Sequence, residues 1–164
     1  HSEAMLFRHL EKTMQRLYEQ DRKARREHQD VTIPLERREA NFHDARKAAK
    51  KLRYSAEAIG DSTSLNTDKL YAACKRLQTV LGDFQDAVTS RDRLYEKALR
   101  AERKGHSAFG YGVLYQQEHQ NSMSALDDYP KAFSKVTKAY RKFSKSVEKF
   151  QKKSRRSHEN VINR

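Results

Sequence analysis

The sequence has few residues that break helices. It contains two prolines, five glycines and no tryptophan among 164 residues, whereas lysine, arginine, alanine and glutamate are abundant. This composition favours helices over strands. The apolar residues recur at helical spacing, which argues against a disordered chain although 35% of the residues are charged. We therefore predict an all-α fold.

Cysteine and long apolar runs are also scarce. The only cysteine, Cys74, cannot form an intrachain disulfide, and its position on an apolar stripe predicts a buried thiol in a reducing compartment. No apolar run reaches the roughly 18 residues that a membrane-spanning helix needs. These observations predict a cytoplasmic protein. Because the chain begins His1-Ser2 without an initiator methionine, we expect it to be a piece of a longer protein.

Acidic residues are too few to balance the basic ones. The chain has 22 Asp and Glu against 35 Lys and Arg, which gives a net charge of +13. Such an excess predicts an acidic partner, namely nucleic acid, an anionic membrane surface or polyphosphate, and does not choose among them.

Apolar periodicity divides the chain into helical segments. We expect an antiparallel bundle of four helices with short links, plus an extra N-terminal helix. The predicted limits are 1–30 for the N-terminal helix, 34–152 for the bundle and 153–164 for a basic tail. The phase of the apolar residues leaves 66–103 open as one helix or two. In the helix over 109–126 the expected core residues are Val113, Leu114, Met123 and Leu126.

Local signals mark the second and third helices. Asp30 or Thr32 is predicted to cap the second helix, with Pro34 in its first turn. Gly60 is predicted to end that helix. Gly82 lies inside the third helix, where glycine costs about 1 kcal/mol relative to alanine. We expect it to mark a close helix approach or a ligand contact.

Residues 42–57 carry the most informative pattern. On a helix, small apolar residues from Ala45 to Ile59 share one face, against which a neighbour can pack closely. The opposite face, roughly 170° away, aligns four permanent cations with a histidine, a tyrosine and Glu57. Like charges three or four residues apart repel, so helix stability does not explain the row, whereas a polyanion lying along it would. The row consists of His43, Arg46, Lys47, Lys50, Arg53 and Tyr54.

The last helix has a second basic face, opposite a regular apolar stripe. Residues 131–156 hold eleven basic residues against one acid, Glu148, so their net charge is +10. A solvated face is the ordinary explanation, but a face of one sign can also extend an anion-binding surface or lie on anionic lipid or nucleic acid. Its lysines are Lys131, Lys135, Lys138, Lys142, Lys145, Lys149 and Lys152.

Catalytic and metal-binding patterns are weak. Asp83 and Asp86 lie one helical turn apart and could bind Mg²⁺ or act as acid and base, but we expect them to pair with arginines of the adjacent helix, as we expect of Asp44 and Glu57. No HExxH, CxxC, Walker loop or nucleophile–base set is present. Nearby cations would repel a metal ion from His43, which we expect to donate to an anion. We predict no enzyme, no metal and no cofactor.

Two stretches resemble the CHAD family, the conserved histidine α-helical domain. Residues 43–54 are similar to its His-x-x-Arg-Lys-x-x-Lys-x-x-Arg-Tyr block, and residues 77–86 to its Leu-Gln-x-x-Leu-Gly-x-x-x-Asp block. The resemblance is close over residues 42–87. A full domain carries two histidine-basic blocks and this chain has one. It therefore looks like the C-terminal half, with residues 3–27 left from the other half.

The resemblance implies a function. The family is described as two pseudo-symmetric four-helix bundles around a basic channel that binds inorganic polyphosphate. Its members associate with polyphosphate granules and are often fused to triphosphate tunnel domains. It implies that the basic row of residues 43–54 contacts the ligand, with Lys75 and Arg76 as weaker contacts. The predicted function is non-catalytic polyphosphate binding. The alternatives are a nucleic-acid-binding helical protein and an accessory domain of a triphosphate-processing enzyme.

Overall fold

The computed structural model describes residues 2–164, which form five helices joined by short loops. These residues contain no strand, so the predicted all-α fold is confirmed. The stretch 66–103, left open as one helix or two, contains a single helix, which begins at Asp68. The helices are α1 (Glu3–His28), α2 (Leu35–Ser62), α3 (Asp68–Arg103), α4 (Phe109–Leu126) and α5 (Tyr129–Ile162).

The start of α2 differs from the prediction. Pro34 is the N-cap residue, and no side chain caps the helix. The Asp30 carboxylate instead accepts hydrogen bonds from the backbone N–H and the hydroxyl of Thr32, at 3.0 and 2.6 Å. Because these bonds close a turn inside the loop, neither residue is free to cap α2, and the predicted cap was wrong.

The predicted end of α2 at Gly60 was also wrong, since the helix continues to Ser62. Thr63 ends it: its backbone N–H and its hydroxyl both donate to the Ile59 carbonyl, at 3.0 and 2.8 Å. Gly60 serves packing instead. A Cβ atom there would lie 2.5 Å from Oγ1 of Thr67, so only glycine fits without a shift of that side chain.

Four helices, α1, α2, α3 and α5, supply the hydrophobic core. At its centre the ring of Phe42 contacts those of Phe84 and Tyr129, with centroids 5.4 and 5.5 Å apart. The hydroxyl of Tyr129 donates to the buried Asp21 carboxylate at 2.6 Å. This cluster takes one side chain from each of the four helices and therefore fixes how they meet.

The peripheral helix is α4, whereas α1 belongs to the core. α4 packs mainly on α3 and has one buried residue, Ser122. Val113, Leu114 and Met123 are 55%, 52% and 47% exposed, so their assignment to the core was wrong. Leu126 is partly buried against the core. The three are exposed because the C-terminal part of α3 extends past the core, and among residues 2–164 no helix covers the outer side of α4.

A buried ion pair joins this α3–α4 hairpin to the bundle. Arg91 of α3 is 4% exposed and donates to both carboxylate oxygens of Glu39 in α2, at 2.6 and 2.8 Å. It also lies 3.2 Å from Nδ1 of His119 in α4. Hydrogen bonding to Glu39 raises the pKa of Arg91, so the guanidinium stays charged. Nothing in the apolar periodicity indicates this contact.

The C-terminal residues continue α5. Residues 153–162, predicted as a basic tail, form its last turns and are exposed. Across residues 2–164, no helix has both the length and the apolar character required to cross a membrane.

Candidate functional site

The basic row predicted on α2 lies along the surface of the bundle. Ala45, Ala49 and Leu52 are fully buried on the opposite side, which fixes the rotation of the helix. Lys47 and Lys50 are exposed, and the other basic residues are half-buried. We call this set the α2 cation face; it consists of His43, Arg46, Lys47, Lys50, Arg53 and Tyr54.

The charge of the α2 cation face is not neutralised. Within residues 2–164 no carboxylate lies within 4.0 Å of Arg46, Lys50 or Arg53. Lys47 lies 4.0 Å from Asp44, and both side chains are well exposed. Such a contact contributes little in water. The face therefore presents its positive charge to solvent.

Aromatic rings hold Arg53 in place. Its guanidinium carbon lies 5.0 Å from the ring centre of Tyr54 and 5.7 Å from that of Tyr71 in α3. Lys50 Nζ lies 5.8 Å from the same Tyr54 ring. Cation–π contacts orient a charge without cancelling it. The sequence-based site omitted Tyr71, because its contact with Arg53 depends on the register between α2 and α3, which local periodicity does not give.

Arg46 crosses to α3 at Gly82. Its Nε donates to the Gln78 carbonyl at 3.4 Å. A Cβ atom on Gly82 would lie 3.4 Å from that Nε and 3.5 Å from Nη2. The atoms nearest to Gly82 thus belong to a guanidinium at ordinary contact distance, and the close helix approach or ligand contact predicted there stays a prediction. This contact positions Arg46 through a neutral carbonyl and leaves its charge unpaired.

Two polar atoms of the face lack protein partners. Nδ1 of His43 and Nε of Arg53 are buried and make no hydrogen bond within residues 2–164. Buried polar atoms normally have partners, and unmet ones often mark sites where a ligand or water completes the arrangement. No group of three or more His, Cys, Asp or Glu side chains in the same residues is arranged to hold a metal ion.

The weaker predicted contacts separate around α3. Consecutive helical residues point about 100° apart, and Arg76 lines a groove against α5, where it contacts Asp128 at 3.8 Å. Lys75 is exposed. Arg76 thus lies on the α5 side of α3, away from the α2 cation face with which it was grouped.

Asp83 and Asp86 of α3 are exposed and form no ion pair within residues 2–164. Their expected pairing with arginines was wrong. Arg46, the arginine of α2 that reaches α3 here, contacts Gln78 and Gly82 instead of Asp83 or Asp86. Asp44 also pairs with no arginine, and its one ion-pair contact in the described residues is with Lys47 at 4.0 Å.

The family model of the CHAD domain matches residues 2–95, which are more than half of the 164-residue chain. The chain belongs to the CHAD domain family. The CHAD match covers α1, α2 and most of α3, and it contains the whole α2 cation face. It occupies the N-terminal part of this chain and includes α1. That the chain corresponds to the C-terminal half of a full CHAD domain stays a prediction.

Similar proteins are known from two strains of Mycobacterium tuberculosis. Both are called uncharacterized proteins, and each is 44% identical to this CHAD chain over 81 residues. The aligned stretch is 49% of this chain and 15% of either relative, so the similarity concerns a small part of those proteins. No solved structure matches the chain.

Proposed function

We propose that this CHAD chain binds inorganic polyphosphate along the α2 cation face and does not catalyse a reaction on it. One observation carries the proposal. Arg46, Lys50 and Arg53 lie on one face of one rigid helix, and no carboxylate of residues 2–164 neutralises them. Membership of the CHAD family supports the choice of polyphosphate over other polyanions.

The chemistry of the face suits a phosphate polymer. Polyphosphate carries about one negative charge per phosphate, so it needs a row of cations instead of a single pocket. Arginine donates two hydrogen bonds in a fixed fork to phosphate oxygens, and lysine acts as a mobile point charge. The arginines are half-buried and oriented by Gln78 and Tyr71, whereas the lysines are exposed. The arginines thus fix the path of the polymer, and the lysines attract it.

The proposal extends to the setting of the protein. We place it in the cytoplasm at polyphosphate granules. Its partners would be a triphosphate tunnel domain or a second CHAD half. Membership of the CHAD family supports each of these proposals, and localisation and co-purification test them.

The direct test compares two variants of equal charge. One replaces Arg46, Lys50 and Arg53 by Gln. The control replaces three exposed lysines near the end of α5, namely Lys149, Lys152 and Lys153. We expect the first variant to lower the affinity for long-chain polyphosphate at least about tenfold, and the control to change it less than about twofold. Equal losses in both variants would mean that net charge alone binds, which would contradict the proposal.

Two further measurements separate the alternatives. Duplex or single-stranded DNA at equal charge should fail to displace bound polyphosphate, and efficient displacement would favour a nucleic-acid-binding protein. Release of phosphate from polyphosphate with Mg²⁺ present, if abolished by Asp86→Asn, would refute the non-catalytic part of the proposal.

A further inference from the structure

A second basic surface lies between α3 and α5. The two helices leave an open groove of about 390 Å³. Three alanines form its apolar floor, five cations surround them, and no carboxylate lines it. We call it the α3/α5 groove; its cations are Lys69, Arg76, Lys135, Lys138 and Lys142.

These cations are close together and almost unpaired. None of the four lysines forms an ion pair within residues 2–164, and Arg76 has only its exposed 3.8 Å contact with Asp128. The lysines of α5 follow one another at intervals of three and four residues, where like charges repel. Ala73 and Ala139 pack on the core, and their small side chains leave the groove open between the cations. The groove therefore concentrates positive charge that is offset in the described chain only by the exposed contact of Arg76 with Asp128.

The α3/α5 groove and the α2 cation face lie on two sides of the same helix. The ring of Tyr71 contacts Arg53 on the α2 side of α3, and Arg76 lines the groove on the α5 side. Arg76 lies five positions after Tyr71, which is about 7.5 Å along the axis of a helix about 10–12 Å wide. Lys75 is exposed on α3 between them. One flexible polyanion can therefore contact both surfaces by passing over α3.

We propose that the α3/α5 groove is a second polyphosphate-binding site, occupied by long chains that also lie on the α2 cation face. The inference rests on the function proposed above and adds a preference for chain length. A short polyphosphate reaches one surface only. A long chain bound to the first surface meets the second at high effective concentration, so its affinity exceeds that of the short chain.

The test uses long-chain polyphosphate, tripolyphosphate and three variants. The groove variant changes Lys135, Lys138 and Lys142 to Gln; the second variant changes the α2 cation face at Arg46, Lys50 and Arg53. The matched control changes Lys149, Lys152 and Lys153, which lie on the same helix outside the groove. All the lysines are exposed. Circular dichroism and the melting temperature check that each variant is folded.

We expect the groove variant to bind long-chain polyphosphate about tenfold more weakly. The plot of log affinity against log salt concentration should become less steep, its slope falling in magnitude by about 2. The reason is that the variant makes three fewer phosphate contacts and so releases fewer counterions on binding. Its affinity for tripolyphosphate should stay within about twofold of the wild type, because the α2 cation face is intact. The control variant should match the wild type with both ligands.

The outcomes separate this inference from the proposed function. Suppose that the α2 variant loses affinity for both long-chain polyphosphate and tripolyphosphate, whereas the groove variant keeps its affinity for both. Then the groove is not a polyphosphate site, and the proposed function survives. If the α2 variant loses neither, the proposed function itself fails. An equal loss in the groove and control variants would overturn the inference. It would also be overturned if polyglutamate occupied the groove and polyphosphate did not displace it, because the groove would then bind an acidic protein.

Discussion

Two glycines in this chain lie in helix interiors for different reasons. At Gly60 a Cβ atom would overlap the hydroxyl of Thr67, a side chain that is itself buried. At Gly82 the nearest atoms would belong to the guanidinium of Arg46, at ordinary contact distance. The first glycine is required by packing. The second is not required by packing, because a Cβ would fit beside Arg46 and alanine would suit the helix better.

Alanine substitution should therefore have opposite effects at the two positions. We expect Gly82→Ala to raise the free energy of unfolding by up to about 1 kcal/mol through helix propensity, because the new Cβ would meet Arg46 at ordinary contact distance. We expect Gly60→Ala to lower the free energy of unfolding by about 1–3 kcal/mol through overpacking. Urea denaturation measures both effects.

A double variant serves as the control for Gly60. Removing the Thr67 hydroxyl in Gly60→Ala/Thr67→Ala should recover part of the lost stability relative to Gly60→Ala alone. The effect of Thr67→Ala alone is measured in the wild-type background. If Thr67→Ala lowers the free energy of unfolding equally in the wild type and in Gly60→Ala, the contact between these two side chains does not limit packing.

Cys74 should make the protein sensitive to alkali. Burial raises the pKa of its thiol from the usual value near 9 to about 12, and the charge of Arg53 opposes this shift more weakly. A folded pKa above the unfolded one means that its contribution to stability is complete below pH 9. It is lost as the pH rises from 9 to 12, by at most about 1.4 kcal/mol per pH unit.

The measurement is the free energy of unfolding in urea at several pH values between about 8 and 10.5. The wild type should lose stability over this range, and Cys74→Ala should lose less. Burial also raises the pKa of Tyr129, so Tyr129→Phe should remove a further part of the decline. If Cys74→Ala and the wild type have identical pH profiles, the thiol is not protected in the folded state.

Among the helices, α5 could be predicted well and α4 only in part. In α5 the apolar residues recur at three and four, and Phe133, Val136, Phe143 and Val147 are buried as that spacing predicts. In α4 the limits 109–126 were correct, but burial depends on which helix lies opposite. That depends on contacts far apart in the chain, such as Arg91 with Glu39, which local periodicity does not record.

The candidate site shows the same division. The α2 cation face could be located from the sequence because its charges alternate with small apolar residues, whose burial fixes the outward side of α2. The partners that orient its arginines could not be found in this way. Tyr71 and the Gln78 carbonyl meet Arg53 and Arg46 only once the register between α2 and α3 is known.

The peripheral position of α4 leads to a prediction about two phenylalanines. Phe84 lies in the aromatic cluster and is 3% exposed, whereas Phe109 at the start of α4 is 79% exposed. We expect Phe84→Ala to destabilise the protein by about 3–5 kcal/mol and Phe109→Ala by less than about 0.5 kcal/mol. Chemical denaturation of the purified variants measures both. A loss at Phe109 comparable with that at Phe84 would mean that another surface covers α4 in solution.

Repulsion between like charges opposes the folding of this protein. Its net charge is +13, and neither the α2 cation face nor the α3/α5 groove holds a carboxylate that offsets it. The core of α1, α2, α3 and α5 supplies the stability that keeps these cations together. A concentration of like charge destabilises the compact state. An anion that bridges the two surfaces would remove this repulsion as it binds.

Salt should therefore affect the free and the polyphosphate-bound protein in opposite ways. Between about 50 and 500 mM NaCl, screening should raise the melting temperature of the free protein by about 2–4 °C. At low salt, saturating long-chain polyphosphate should raise it by about 5–10 °C, as expected for a ligand at about a hundred times its dissociation constant. At high salt that ligand effect should nearly vanish, because counterion release no longer favours binding. Thermal unfolding followed by circular dichroism measures both trends.

The variant with Gln at positions 46, 50 and 53 should keep the first trend and lose most of the second. A polyphosphate effect that survives high salt undiminished would mean that contacts other than charge dominate binding.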